Sequence, residues 1–189
     1  MVARRRLRRA SRERGAVLVE AALVFPVLMM IVMGIIEFGL AMSNLATTGA
    51  ATRAGSRTAV IYSRQAGYNT QAIAAVQATL TSVNNATPLS MWIYRVDPTS
   101  TNGSPVGFPT FANCTTDCIQ YTWSGSAWSQ TGGNGWVANT MNACIAPLDQ
   151  LAVRVRVRHE FISGLFGANI TLTDHTVMRL EPQPLATCA

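Results

Sequence analysis

The 189-residue chain contains no lysine and only two histidines, His159 and His175. Charged side chains make up 13% of it and aromatic ones 7%. These shortages narrow the chemistry. No C-x-x-C or H-x-x-x-H spacing is present, so a closed zinc site has no local ligand pair to start from. Cys114-Thr-Thr-Asp-Cys118 stands too far from other ligand types to count as one. There is no G-x-S-x-G, no phosphate-binding glycine loop and no H-E-x-x-H. His159 falls on the apolar side of an alternating segment, the place of a core histidine rather than a ligand. We therefore expect no catalytic residue, no metal and no cofactor, and read the chain as not an enzyme.

Acidic residues are scarce too: nine against fifteen arginines, for a formal net charge of +6. Seven of those arginines lie in residues 1–15 with a single glutamate, and the remainder of the chain balances to zero. A nucleic-acid surface needs basic residues spread over a fold. Here the basicity is confined to a head, MVARRRLRRASRERG, so no nucleic-acid partner is expected.

What the chain does have is one long apolar segment. Between Ala21 and Ile36 there is no charge, and Glu20 and Glu37 bracket the gap. A helix from Ala16 to Glu37 would rise ~32 Å, about the thickness of a bilayer core. An arginine cluster directly before such a segment is the positive-inside signal, which keeps the N-terminus in the cytoplasm and sends the remainder across. Pro26 lies inside the segment and removes one backbone hydrogen bond, which membrane helices tolerate. Gly34, Gly39 and Ser43 offer small surfaces for close helix approach.

At the head of the segment stands Gly15-Ala-Val-Leu-Val-Glu20. This is similar to a type IV prepilin cleavage site, with a glycine, four residues and a glutamate between a basic leader and an apolar core. The resemblance implies a cut between Gly15 and Ala16 by a prepilin peptidase on the cytoplasmic face. An ordinary secretory signal is cut after its apolar core, and this site precedes it, so the core is retained. Cutting there would create an α-amine one turn from Glu20. A carboxylate in an apolar helix is costly unless paired, and that amine, or a neighbouring subunit's, is a partner for it.

Arg14-Gly-Ala-Val-Leu-Val-Glu-Ala-Ala-Leu-Val-Phe-Pro26, then Gly34-Ile-Ile-Glu-Phe-Gly39, then Thr48-Gly-Ala-Ala-Thr-Arg-Ala-Gly-Ser-Arg-Thr-Ala-Val60, together resemble the TadE-like minor pilins and pseudopilins of the Tad (tight adherence, Flp-type) pilus system. Two positions depart from that pattern. Ala21 follows Glu20 where major pilins of the system carry an aromatic, which argues against a major pilin. Ala54 stands where many relatives have an acidic residue. The resemblance implies partners among other pilins, Tad assembly proteins and the prepilin peptidase, and an assembly role for Glu20, Pro26 and Glu37. Glu37 is read as an outer-boundary residue within reach of water.

Beyond the segment, residues 43–64 continue as helix, with Arg53 and Arg57 one turn apart on a solvated face. Thr70–Val83 reads as an amphipathic helix capped by Thr70 or Asn69, with Ile73, Val76 or Gln77, and Leu80 on its apolar side. Met91–Val96 reads as a strand and 97–113 as an exposed loop. Ile119–Trp123 and Ala127–Gln130 form a candidate hairpin, and Trp136–Ile145 a candidate short helix. Leu151–Phe161 alternates strictly: Leu151, Val153, Val155, Val157, His159 and Phe161 on one side, Arg154, Arg156, Arg158 and Glu160 on the other. Such a strand packs one face and wets the other. Ile170–Leu180 is its partner. The tryptophans Trp92, Trp123, Trp128 and Trp136 all fall in this β region, where packing is the default role. Four cysteines beyond the anchor, Cys114, Cys118, Cys144 and Cys188, fit two disulfides, with Cys114–Cys118 and Cys144–Cys188 preferred among three pairings.

The expected fold is thus α+β: a long N-terminal transmembrane helix, a short amphipathic helix and a small antiparallel sheet domain. The expected organisation is a basic cytoplasmic leader at 1–15, a membrane and stem helix at 16–64, and an extracytoplasmic domain at 65–189. The expected function is that of a TadE-like minor pilin or assembly pseudopilin in the cytoplasmic membrane, single-pass and open to incorporation in a surface pilus. Other readings are a signal-anchored surface domain that binds a glycan or other ligand without joining a pilus, and a tethered enzyme. Retention of residues 1–15 in the mature protein would favour either of these.

Overall fold

The computed structural model describes residues 3–107, 111 and 114–183, with side chains from residue 15 onward. The elements run in the order α1 (Ala3–Ile61), α2 (Tyr68–Leu80), β1 (Ala86–Arg95), β2 (Cys118–Trp123), β3 (Trp128–Gly133), β4 (Gln150–Glu160) and β5 (Asn169–Arg179). The fold is α+β, as expected. Two compact units divide the chain, Met1–Leu40 and Ala41–Ala189, and α1 contributes to both.

In the second unit the described strands form one antiparallel sheet in the order β3-β2-β1-β4-β5. The alternation of β4 sets its inner face. Leu151, Val153, Val155, Val157 and His159 are buried while Arg154, Arg156 and Arg158 are only half-buried. Met91 and Ile93 of β1 and Ile119 and Tyr121 of β2 continue the same apolar layer. At about 25 cal/mol per Å² of apolar surface removed from water, this layer is the main favourable term in the unit's stability.

The part of α1 from Ala41 onward lies on this face over β4 and β5. It does so with small and polar residues rather than large apolar ones: Asn44, Thr48, Thr52 and Ser56 recur every four residues and all are buried. Ser56 Oγ donates to the Thr176 carbonyl at 2.8 Å and accepts from the Val153 N–H at 3.2 Å. The Thr52 and Thr176 hydroxyls are 2.9 Å apart. Gly55 faces Val153 and Val76, so that α1, α2 and the sheet meet with no room for a side chain. α2 covers the other half, where Trp128 Nε1 donates to Gln77 Oε1 at 2.8 Å and Asn69 Nδ2 to the Tyr121 hydroxyl at 2.9 Å.

Several local expectations are corrected. α1 ends at Ile61, three residues before Arg64, which takes a positive φ of 65°. α2 starts at Tyr68 after Gly67, whose φ of 85° turns the chain without any side-chain cap. Asn69 and Thr70 therefore fall inside the helix, and Tyr68, Ala72, Val76 and Leu80 line its buried side. β1 begins five residues before Met91, with a register shift between Pro88 and Ser90 that accommodates a residue lacking an N–H. The expected helix at Trp136–Ile145 shrinks to a 3-10 turn at Ala138–Thr140. The Asn142 side chain explains this: its Nδ2 donates to the Ile145 and Pro147 carbonyls, and its Oδ1 accepts from the Ile145 N–H, in place of helical partners.

The outer face of the sheet is not uniformly wet either. Trp92, Tyr94, Val96, Cys114, Cys118 and Ala152 form a second buried cluster there, with Phe111 and Val177 against it. The 97–113 segment, expected as an exposed loop, folds back over this end. Tyr94 donates to the Gly103 carbonyl at 3.0 Å, and Val96 bridges to Pro105. Gly103 has a φ of 65°, and a Cβ there would strike Val177. Residues 108–110 and 112–113 lie outside the described set.

Candidate functional site

The apolar stretch of α1 holds the helical form without tertiary help. Apart from the carbonyl facing Pro26, its interior backbone groups pair within the helix, which is the condition for crossing hydrocarbon. Its side chains are bare: Leu18 is 70% exposed, Phe25 60% and Ile35 69%. A run of that length with no protein packed on it is not a soluble surface. Among the described residues it is the helix long and apolar enough to cross a membrane. Pro26 sits within it and the helix continues through, leaving the Ala22 carbonyl without its usual i+4 donor.

Gly15, Ala16 and Glu20 all lie on this helix and are exposed. Ala16 and Glu20 are four apart, so they share one face, ~6 Å apart along the axis. No atom lies within 4 Å of the place a Gly15 Cβ would take. Glu37 is ~25 Å further along the axis, so a single chain does not bring it to Glu20. Glu37 also departs from its expected setting: it is fully buried, with no surface open to water.

Of the four cysteines, Cys114 and Cys118 are joined, with Cα atoms 5.5 Å apart. Cys144 is disulfide-bonded as well, and Cys188 lies outside the described residues. The Cys114–Cys118 bridge closes the loop over the Trp92–Tyr94 end of the sheet and sets Asp117 beside Arg95. Arg95 reaches Asp149 at 2.8 Å and Asp117 at 3.4 Å and lies 5.2 Å from the Trp136 ring centre. Burial acts to lower the Arg95 pKa, but Asp149 and Asp117 outweigh it and leave the guanidinium above its ordinary value. Two phenols are strongly desolvated. Burial pushes Tyr68 up to about 12, and Tyr94 likewise up to about 12.

His159 is a core histidine. It is fully buried, and its Nδ1 lies 2.9 Å from Asn44 Nδ2. His175 is exposed on β5, opposite Arg154. No group of three or more His, Cys, Asp or Glu side chains comes together among the described residues. The tryptophans are dispersed: Trp92 and Trp136 are buried, and Trp123 and Trp128 stack edge to face across the β2–β3 hairpin at 5.2 Å. They do not form one surface.

Sequence reasoning missed the polar seam Asn44–Thr48–Thr52–Ser56. Its signal was present as four small polar residues at strict i+4 spacing on a helix, overlooked beside Arg53 and Arg57, which are exposed. It also missed the pairing of Arg95 with Asp149 and Asp117, which no spacing announces.

Residues 15–57 match the family model described as TadE-like protein. The match starts at Gly15, takes in the apolar stretch and the whole polar seam, and ends at Arg57. It is consistent with a TadE-like protein of the Tad pilus system. Neither curated proteins nor solved structures yielded a match to the chain.

Proposed function

We propose that this chain is a TadE-like minor pilin or assembly pseudopilin. In this reading residues 1–15 are a cytoplasmic leader, 16–64 form the membrane and stem helix, and the domain from 65 onward is exposed outside the cytoplasmic membrane. The arginines of the leader set that orientation. Prepilin peptidase removes the leader between Gly15 and Ala16, and the chain then takes part in Tad pilus biogenesis with other pilins and assembly proteins. It acts by assembly, not by catalysis.

The observation that carries the reading is the placement of Glu20. It is an exposed carboxylate at the head of the apolar run, on the same face as Ala16, within the segment that matches the TadE-like family. Removal of the leader puts an α-amine on that face. In hydrocarbon an unpaired carboxylate costs several kcal/mol, so amine and carboxylate are driven together within a chain or between neighbours.

N-terminal sequencing of the protein recovered from membranes tests this. In a strain with active prepilin peptidase the mature chain should begin at Ala16, and replacing Gly15 with a bulky residue should leave the longer form. Intact chains beginning at Met1 in that strain would refute the reading.

A further inference from the structure

The outer face of the sheet carries two arginines, Arg154 and Arg156, that no carboxylate meets among the described residues. Trp92 on β1 pairs across the sheet with Gln120 on β2 and with Arg154 on β4, so the three form one row. Arg156 is the next outward residue of β4. Phe111 closes one side, with its ring centre 5.6 Å from that of Trp92 and the Arg154 guanidinium 4.2 Å above it. Between these five side chains lies a cavity of about 270 Å³.

Two donors that belong to cavity-lining residues are buried without a partner: Trp92 Nε1 and Arg154 Nε. Both atoms are closed off from a water-sized probe and lie behind the wall, so what the cavity itself offers a ligand is the remainder of Arg154, with Arg156 and the Gln120 amide. Arg154 and Arg156 form no ion pair among the described residues. The outward carboxylate of the same strand, Glu160, is engaged by Arg158 at 3.3 Å. Burial holds Arg154 below its ordinary pKa, with Tyr94 acting against that shift and Arg156 adding to it. The row thus has surplus positive charge and surplus donors.

The acceptor must be small and anionic, with a partly polar body. The cavity is below the size of drug-sized sites, so it admits one ring-sized group. Guanidinium groups favour carboxylates and phosphates. Gln120 offers both a donor and an acceptor, as hydroxyl groups require, and Phe111 offers an apolar side. We propose that this cavity is a binding site for a carboxylated sugar, a hexuronate residue of an acidic polysaccharide, with Arg154 and Arg156 on the carboxylate, Gln120 on the ring hydroxyls and the Trp92 and Phe111 rings as apolar walls. The site does not depend on assembly into a pilus, and it stands or falls separately from the cleavage of the leader.

The test uses the full chain in a nonionic, sugar-free detergent, with trigalacturonate, its neutral methyl ester and inorganic phosphate as probes. Binding is followed by calorimetry and by the Trp92 indole N–H resonance. Trigalacturonate should bind and shift that resonance, and the methyl ester and phosphate should each bind at least about tenfold more weakly, the scale set by removing one charge-assisted hydrogen bond. Arg156→Gln should weaken trigalacturonate by about tenfold through loss of one charge-assisted contact, and should leave the fold intact, since Arg156 is in no ion pair among the described residues. Arg158→Gln, on the same face but outside the cavity, should leave affinity within about twofold. Equal binding of the methyl ester, or of phosphate, would overturn the sugar-carboxylate assignment. Unchanged affinity in Arg156→Gln with an intact fold would overturn the site itself.

Discussion

Asn44 and His159, 115 residues apart in sequence, meet under the sheet with Asn44 Nδ2 2.9 Å from His159 Nδ1. The same Nδ2 donates to the Asn84 carbonyl at 2.6 Å, and Asn44 Oδ1 accepts from the Asn84 N–H at 3.3 Å. Asn44 therefore acts as a substitute strand for Asn84, two residues before β1 begins. With Nδ2 donating in both directions, His159 accepts at Nδ1 and carries its proton on Nε2, which is buried and has no partner.

This arrangement predicts an asymmetry. Asn44→Ala leaves three polar groups unpaired, and should cost about 2–3 kcal/mol. Adding His159→Leu removes one orphan and the already unsatisfied Nε2, so the double variant should be less destabilised than the sum of the singles. Thermal unfolding of the detergent-solubilised chain measures both. Strict additivity would show that the two side chains do not interact.

Gly55 supplies a second prediction, and here two effects oppose. In an exposed helix Gly→Ala gains about 1 kcal/mol. At Gly55 a new Cβ would lie 3.3 Å from Val153 Cγ1 and closer still to Val76 Cγ2, both fully buried. Overpacking of this kind costs about 1–3 kcal/mol. Gly55→Ala should therefore destabilise the domain. Gly39→Ala, where nothing lies within 4 Å, serves as the comparison and should not. A stabilised Gly55→Ala would mean that α1 does not approach the sheet this closely.

The alkaline limit of stability follows from the buried phenols. Tyr68 and Tyr94 are both raised to about 12 by burial, above the unfolded value of about 10. Groups raised in the folded state contribute fully below the unfolded pKa and lose that contribution as pH rises through the folded one. The chain should thus keep its stability to about pH 10 and lose it steeply from there to about pH 12. Phenolate absorbance of these two residues should appear together with the loss of tertiary structure. Tyr94→Phe should move the transition to higher pH, because one group no longer has to ionise. That variant also lacks the hydrogen bond to the Gly103 carbonyl, so the comparison is of pH midpoints, not of stability at neutral pH.

The apolar helix, the α+β class and the β4–β5 pair were legible in the sequence because each rests on periodicity: an uncharged run for α1, and valine–arginine alternation for β4. Disulfide bonding was legible from the even number of cysteines beyond the anchor, but the Cys114–Cys118 pairing was one of three that the sequence does not choose among. The start of α2 was not, because Gly67 replaced the side-chain cap that Asn69 and Thr70 advertise. Nor was the packed 97–113 loop, whose Thr, Ser, Asn and Gly content signals exposure while Tyr94 and Val96 hold it to the sheet. The burial of Glu37 was unreadable for a similar reason: a carboxylate at the end of an apolar run looks hydrated until the fold is known. The outer-face cavity depends on Phe111, Trp92 and Arg154 meeting from three separate segments.

Glu20 carries the last prediction. The proposal is that its carboxylate pairs with an α-amine during assembly. Glu20→Ala removes the carboxylate together with the cost of placing it in hydrocarbon, and alanine inserts more easily than glutamate. Membrane level should therefore hold or rise. Incorporation into pili, or crosslinking to other pilus components, should fall by at least about tenfold, equivalent to about 1.4 kcal/mol, since the mature amine loses its partner. Glu20→Gln keeps the size without the charge and should behave as alanine does. Glu37 cannot serve as a water-solvated comparison, because it is fully buried. Replacing it by alanine removes a buried charge from its setting, and the effect should appear as reduced protein level before any effect on assembly. Measuring membrane level, leader removal and incorporation side by side separates these outcomes. Wild-type incorporation of Glu20→Ala, or loss of that variant from the membrane, would leave Glu20 as an interfacial residue with no part in subunit pairing.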